Sequence, residues 1–203
     1  MGPMHDENIF RLILILGFAA VCPFGLYHRL KSQATGEKLD RRQEGMFILV
    51  TLRPIALVRM VGVLLYVIKP AWMAWSSMGL PGWLRWSGAG VGVVAAVLLI
   101  IVFRTLGTNI TDTVVTRANH TLVTHGPYRW VRHPFYVAFA LAVVADSLVT
   151  ANWFLALSGG LAVTLLVLRT RTEEEKLIER FGDEYRRYMQ RTGRFIPRRS
   201  STD

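Results

Sequence analysis

Apolar runs alternate with charged loops from one end of the chain to the other. Residues 9–27, IFRLILILGFAAVCPFGLY, nearly reach the length of about 20 apolar residues that a helix needs to cross a bilayer. A cleavable signal peptide is rejected for this run: Asp6 and Glu7 precede it instead of a basic cluster, and no small-residue cleavage site follows cleanly. A charged loop at 28–45 carries Arg29, Lys31, Lys38, Arg41 and Arg42. The next apolar stretch, 46–78, is too long for one simple span. Pro54 inside it predicts a kinked or long, tilted helix, with Arg53 and Arg59 snorkelling to the interface. Trp72, Trp75, Trp83 and Trp86 flank a turn at 78–82 and read as an aromatic belt on the far side. Residues 86–103 are an uncharged span. Its Gly88, Gly90 and Gly92 do not complete a nucleotide-binding loop, because no strand precedes them and the last glycine is missing; Gly88 and Gly92 read as close helix packing.

A loop at 104–134 follows, with residues 109–116 read as a short extended piece. Two apolar helices, 135–149 and 153–168, are joined by Thr150-Ala151-Asn152, a link short enough to make an antiparallel hairpin. Asp146, near its far end, reads as a solvated or packing carboxylate. In 169–197, Leu177, Phe181, Tyr185 and Tyr188 or Met189 recur every three to four residues, which predicts an amphipathic helix; a capping box of Thr172 and Glu175 at a solvated helix start is the alternative to a ligand role for Glu175. The fold class is therefore all-α: a single polytopic domain over 1–203 with about five transmembrane helices, a long loop and a C-terminal amphipathic helix.

Composition sharpens this picture. Hydrophobic residues make up 52% of the 203, yet the net charge is +10. A nucleic-acid partner is excluded because the basic residues are divided among loops between apolar runs. Cys22 is the single cysteine, so no internal disulfide forms; it reads as a small buried hydrophobe. The loops 28–45 and 104–134 and the tail are rich in Arg and Lys, whereas the turns near 80 and 151 have none. Basic loops stay in the cytoplasm, which places the N-terminus outside and the C-terminus and the long loop inside.

The stretch 120–136, HTLVTHGPYRWVRHPFY, concentrates the candidate chemistry. Gly126-Pro127 marks a turn, and Pro134 fits the first turn of the following helix, where its missing N–H costs nothing. His133 then sits at that helix's mouth, suited to an anion, and Arg132 offers a planar fork of donors to a carboxylate. Tyr128 and Tyr136 present faces for a flat or cationic group. These residue types suit a ligand with an anionic end and a planar or cationic part.

The run LVTHGPYRWVRHPFY, followed by RTRTEEEKLIERFGDEYRRYMQRTGRFIP at 169–197, resembles the isoprenylcysteine carboxyl methyltransferase family and its bacterial and archaeal relatives. The resemblance covers roughly 105–197, a methyltransferase core; the half at 1–104 is similar only in being hydrophobic. It implies an S-adenosylmethionine-dependent membrane methyltransferase whose cofactor enters from the cytoplasm and whose lipophilic acceptor enters from the bilayer. It also implies that His120, Leu122, Val123, Tyr128, His133, Pro134, Phe135, Tyr136 and Glu175 match cofactor-binding positions, joined by Arg132 on the reading above, and that Arg171 matches a position assigned to the acceptor. A carboxylate or thiolate acceptor needs no base; an amine or hydroxyl needs one, and Glu174 is the nearest candidate. Membrane sterol reductases that use NADPH carry a similar Arg-His-Pro-x-Tyr stretch. Arg171 followed by three glutamates fits the methyltransferases better, and those glutamates would repel a dinucleotide's phosphates. A non-catalytic scaffold leaves the clustered motif unexplained. The expected partners are membrane lipids and the acceptor, whose identity, whether prenylcysteine, phospholipid headgroup or small lipophilic acid or thiol, the sequence leaves open along with the oligomeric state.

Overall fold

The computed structural model describes residues 3–33, 48–107 and 121–198. Among these residues the chain is helical, without strands. The elements are α1 (Pro3–Gln33), a π-helical turn (Ile48–Leu52) running into α2 (Arg53–Ile68), a 3-10 segment (Pro70–Ser76), α3 (Gly82–Leu106), a 3-10 turn (Gly126–Arg129), α4 (Pro134–Thr150), α5 (Trp153–Phe181) and α6 (Asp183–Arg191). Segments of α1, α2, α3 and α5 are long and apolar enough to cross a membrane; α4 is a shorter apolar helix. The flanks of these helices expose Leu12, Leu57, Val61, Val93, Val97 and Leu161, an apolar exterior suited to lipid. The extended piece read at 109–116 and the site residue His120 lie outside the described residues.

The stretch 46–78 is divided instead of forming one tilted helix. Pro54 falls in the first turn of α2, where it breaks nothing. Lys69 is extended before Pro70 and ends α2, as the steric demand of a following proline dictates. Arg59 corrects the snorkelling expectation. It is buried, with Nη2 donating to Asp146 of α4 at 2.7 Å and Nη1 to the Leu155 carbonyl of α5 at 2.6 Å. Asp146 is thus an ion-pair partner, and the pairing removes the need for either charge to reach water. Gly159 leaves the room: a Cβ there would sit 2.5 Å from Arg59 Nη1.

At the end of the bundle away from the 120–136 motif, three further contacts fix the helices. The Asn152 side chain caps α5 by accepting from the Leu155 N–H at 3.1 Å and donates to Ser76 Oγ at 2.8 Å, which holds the α4–α5 turn against the 3-10 segment. Arg85 satisfies the terminal Val149 carbonyl of α4 through two nitrogens, pairs with Glu7 at 2.8 Å and covers the Phe10 ring. Phe10, Leu14, Tyr66, Met73, Val149 and Leu155 form the buried cluster below it. Trp72, Trp75, Trp83 and Trp86 are exposed at this end, in keeping with the belt reading. Cys22 is exposed, not buried.

Gly88 brings α3 onto α4 as its spacing predicts, since a Cβ there would lie 2.6 Å from Leu148 Cβ; at Gly92 the corresponding contact, 3.5 Å from Ala145 Cβ, is ordinary. Gly88→Val is expected to destabilise the protein by about 1–3 kcal/mol through overpacking, and Gly92→Ala to be nearly neutral. Thermal melting in detergent checks the pair; equal melting temperatures for the two variants would contradict this packing.

The last span and the helix expected to begin at 169 are one element. Nothing at 168–172 breaks it: no Gly or Pro occurs there, and Arg169 pairs with Glu173 one turn on, at 2.9 Å. Thr172 and Glu175 therefore lie mid-helix and make no capping box. The 29 residues of α5 span about 44 Å, more than a hydrocarbon core of about 30 Å. Gly182, at φ 54°, ends α5 and starts the short amphipathic α6.

Candidate active site

The 126–136 motif folds against α5, α6 and the chain that follows α6. Gly126, at φ 60°, turns the backbone close to Thr105 at the end of α3, where a Cβ would meet the Thr105 hydroxyl at 2.9 Å. The Tyr188 hydroxyl of α6 donates to the Tyr128 carbonyl at 2.6 Å. Burial pushes the Tyr188 hydroxyl up to about 12 and that of Tyr128 higher still, so Tyr188 remains a donor across the physiological range. The Arg132 N–H donates to the Gly193 carbonyl at 2.9 Å, the His133 N–H to that of Arg194 at 3.1 Å, and the Gly193 N–H to that of Trp130 at 3.3 Å. This parallel bridge holds the 130–133 segment against the C-terminal chain. Pro134 then opens α4 in its first turn, with His133 as the N-cap residue.

Two neighbouring glutamates of α5 meet the motif. Glu174 is 3% exposed. It accepts from Arg132 Nε at 2.7 Å and from Arg194 Nη2, and lies 3.3 Å from His133 Nε2. Glu173 accepts from the Tyr136 hydroxyl at 2.6 Å and pairs with Arg169; its other oxygen is 3.7 Å from His133 Nδ1. His133 therefore lies between two carboxylates. Its ring stacks on Tyr136 at 5.4 Å and 13°, with Phe195 beside it at 5.8 Å. Phe135 turns to Phe103 of α3 at 5.9 Å.

The sequence-derived site divides into three parts. Arg132, His133, Tyr136 and Glu174 come together. Arg171 and Glu175 share another, exposed face of α5, one turn apart. Leu122 lines a groove of about 530 Å³ with Thr124, Arg129, Glu184, Arg187, Tyr188, Arg191 and Thr192. Two readings change with this geometry. Arg132, expected to offer its fork to a ligand, also donates to the Thr192 carbonyl and is engaged internally. Glu174, the candidate base, is buried and already has three partners, Arg132, Arg194 and His133, for the roughly four lone-pair sites of a carboxylate. Glu173, Arg169 and Arg194 were missed. The i,i+4 spacing of Arg169 and Glu173 was the available signal for two of them; for Arg194 there was none.

Residues 88–179 match the model of the isoprenylcysteine carboxyl methyltransferase (ICMT) family. The resemblance carried by the two motifs is borne out. Among curated proteins, the chain is similar to methanethiol S-methyltransferase 1 of Bradyrhizobium diazoefficiens, 39% identical over 74 residues, which cover 36% of this chain and 25% of that one. It is also similar to the protein-S-isoprenylcysteine O-methyltransferases of Homo sapiens, 40% identical over 80 residues (38% and 28% of the two chains), and Rattus norvegicus, 34% over 116 residues (51% and 40%). A solved structure of the eukaryotic intramembrane Ras methyltransferase ICMT aligns with a TM-score of 0.53 at 29% identity, covering 71% of this chain and 51% of that chain. The ICMT-like membrane fold is thus established, and the chain spans well under two thirds of each of these proteins' length.

Proposed function

We propose that this protein is an S-adenosylmethionine-dependent membrane methyltransferase whose acceptor is lipophilic and already anionic, a carboxylate or a thiolate. The observation that carries the reading is the meeting of both motifs of the ICMT-family segment through Arg132–Glu174 and Tyr136–Glu173, where α4 and α5 leave the apolar core. Glu174 supports an anionic acceptor, because an amine or alcohol would need a base and this buried carboxylate is already partnered by Arg132, Arg194 and His133. The relatives include O-methyltransferases of isoprenylcysteine and S-methyltransferases of a small thiol, both of which fit that class.

The residues present fit such a cofactor. The stacked rings of His133 and Tyr136 give a flat wall beside the Glu173 and Glu174 carboxylates, a setting favourable to a cation. When bound, S-adenosylmethionine supplies an activated methyl group: the acceptor's lone pair forms the new bond as the carbon–sulfur bond breaks and its electron pair returns to sulfur. The protein's share is alignment and exclusion of water. In this reading Tyr128, His133, Pro134, Phe135 and Tyr136 wall the cofactor, with Leu122 and Val123 at its rim. Exposed Glu175 takes its ammonium group, and Arg171 one turn away holds the acceptor's negative charge. Glu174 acts as a positioning residue that fixes Arg132 and His133. The site faces the cytoplasm and the N-terminus lies outside, as the loop charges require.

Calorimetric titration in detergent tests the cofactor. S-adenosylmethionine and its demethylated product are expected to saturate the protein and NADPH is not; NADPH binding in their place would overturn the reading. His133→Ala is expected to weaken cofactor binding roughly ten-fold or more. Transfer of labelled methyl to a farnesylcysteine analogue or a small thiol, but not to an amine or alcohol, is the matching result for the acceptor. For topology, impermeant labelling of single cysteines at 80 and 195 in a Cys22-free background is expected from opposite sides.

A further inference from the structure

The lining of the groove between residues 122–129 and α6 includes none of His133, Tyr136, Glu173 and Glu174, and it differs from the His133–Tyr136 wall in charge. Arg129, Arg187 and Arg191 line it against a single carboxylate, Glu184. Among the described residues none of the three arginines is ion-paired: Arg187 Nε donates to the Asp183 carbonyl at 3.3 Å, and Arg129 lies over the Trp130 ring at 4.9 Å. With three arginines against one carboxylate, such a groove attracts an anion. Its height also matters. Arg129 and Trp130 precede by only a few residues Pro134, the first residue of the apolar α4, and Trp130 is 55% exposed. An exposed Trp beside arginines at the start of an apolar helix is the arrangement that headgroup level favours.

We propose that this groove is a binding site for the phosphate headgroup of an acidic phospholipid. Arg129, Arg187 and Arg191 hold the phosphate by charge-assisted hydrogen bonds. Thr124 adds a hydroxyl, and Trp130 lies beside the glycerol and the upper acyl chain. At about 530 Å³ the cavity exceeds a bare phosphate and admits a glycerophosphate headgroup. The site goes beyond the methyl-transfer reading and does not depend on it, since lipid is bound without being transformed.

The test titrates the full chain in non-ionic detergent with dihexanoyl phosphatidylglycerol, dihexanoyl phosphatidylcholine or inorganic phosphate, reading the shift of the melting curve. Phosphatidylglycerol is expected to bind well above the other two. Each of Arg129→Gln, Arg187→Gln and Arg191→Gln is expected to weaken it roughly five-fold. Glu184→Gln is expected to strengthen it, an opposite change that loss of folding cannot mimic. Equal phosphatidylglycerol binding by wild type and all four variants would overturn the site, and inorganic phosphate binding as tightly would overturn the lipid assignment. A fall in affinity for the cofactor's demethylated product in Arg187→Gln or Arg191→Gln, without lipid, would instead place the groove in the cofactor pocket and overturn its separateness. Absence of methyl transfer with phosphatidylglycerol binding intact would count against the methyltransferase reading alone.

Discussion

Glu174→Ala is expected to cost about 3–5 kcal/mol of stability and to abolish tight cofactor binding, the largest effect at any single position of the site. The carboxylate is 3% exposed and has Arg132, Arg194 and His133 as partners. Its removal leaves Arg132, itself nearly buried, with an uncompensated charge. The same change frees the 130–133 segment from α5, so the His133–Tyr136 stack loses its support. Glu174→Gln keeps the shape and some acceptor capacity, and a smaller loss is expected. Thermal melting and cofactor titration of both variants measure this. A Glu174→Ala protein that melts like wild type but no longer transfers methyl would show that Glu174 is not a positioning residue and would return it to the role of base.

Arg171→Ala is expected to do the reverse: unchanged melting, nearly unchanged cofactor affinity, and loss of transfer by at least a hundred-fold, because an acceptor no longer held in line loses the orientation on which displacement depends. Arg171 is exposed on α5, so its removal opens no cavity and strands no buried group. Arg171→Lys is expected to restore only part of the rate, since an ammonium lacks the planar two-point fork. Cofactor affinity falling in Arg171→Ala as far as in His133→Ala would move Arg171 into the cofactor pocket.

The helices were legible because apolar runs near the bilayer length state themselves. The spacing of Gly88 and Gly92 made a close helix approach legible, although only at Gly88 would a Cβ collide with α4. Other features depended on partners far apart in sequence. Arg59 reads as a snorkelling residue until Asp146, 87 positions later, is placed beside it. The three consecutive glutamates look alike in the sequence, yet helical rotation of about 100° per residue sends Glu174 into the buried network and Glu175 outward. The start expected at 169 followed the change from apolar to charged residues, which α5 crosses without a break.

The unbroken α5 has a mechanical consequence. From Asn152 to Glu174 it is a rigid arm of about 33 Å, so a tilt of about 10° in response to a thinner bilayer would displace the carboxylate by about 6 Å. A site assembled from independently hinged pieces would be pulled apart by that swing. Here α4 and α5 are clamped at one end by the Ala151 turn and at the other by the Tyr136–Glu173 and Arg132–Glu174 contacts, while the chain after α6 is bonded to residues 130–133. The two helices and their head are therefore expected to lean together, so that a change in membrane thickness leaves the Arg132–Glu174 and Tyr136–Glu173 contacts intact.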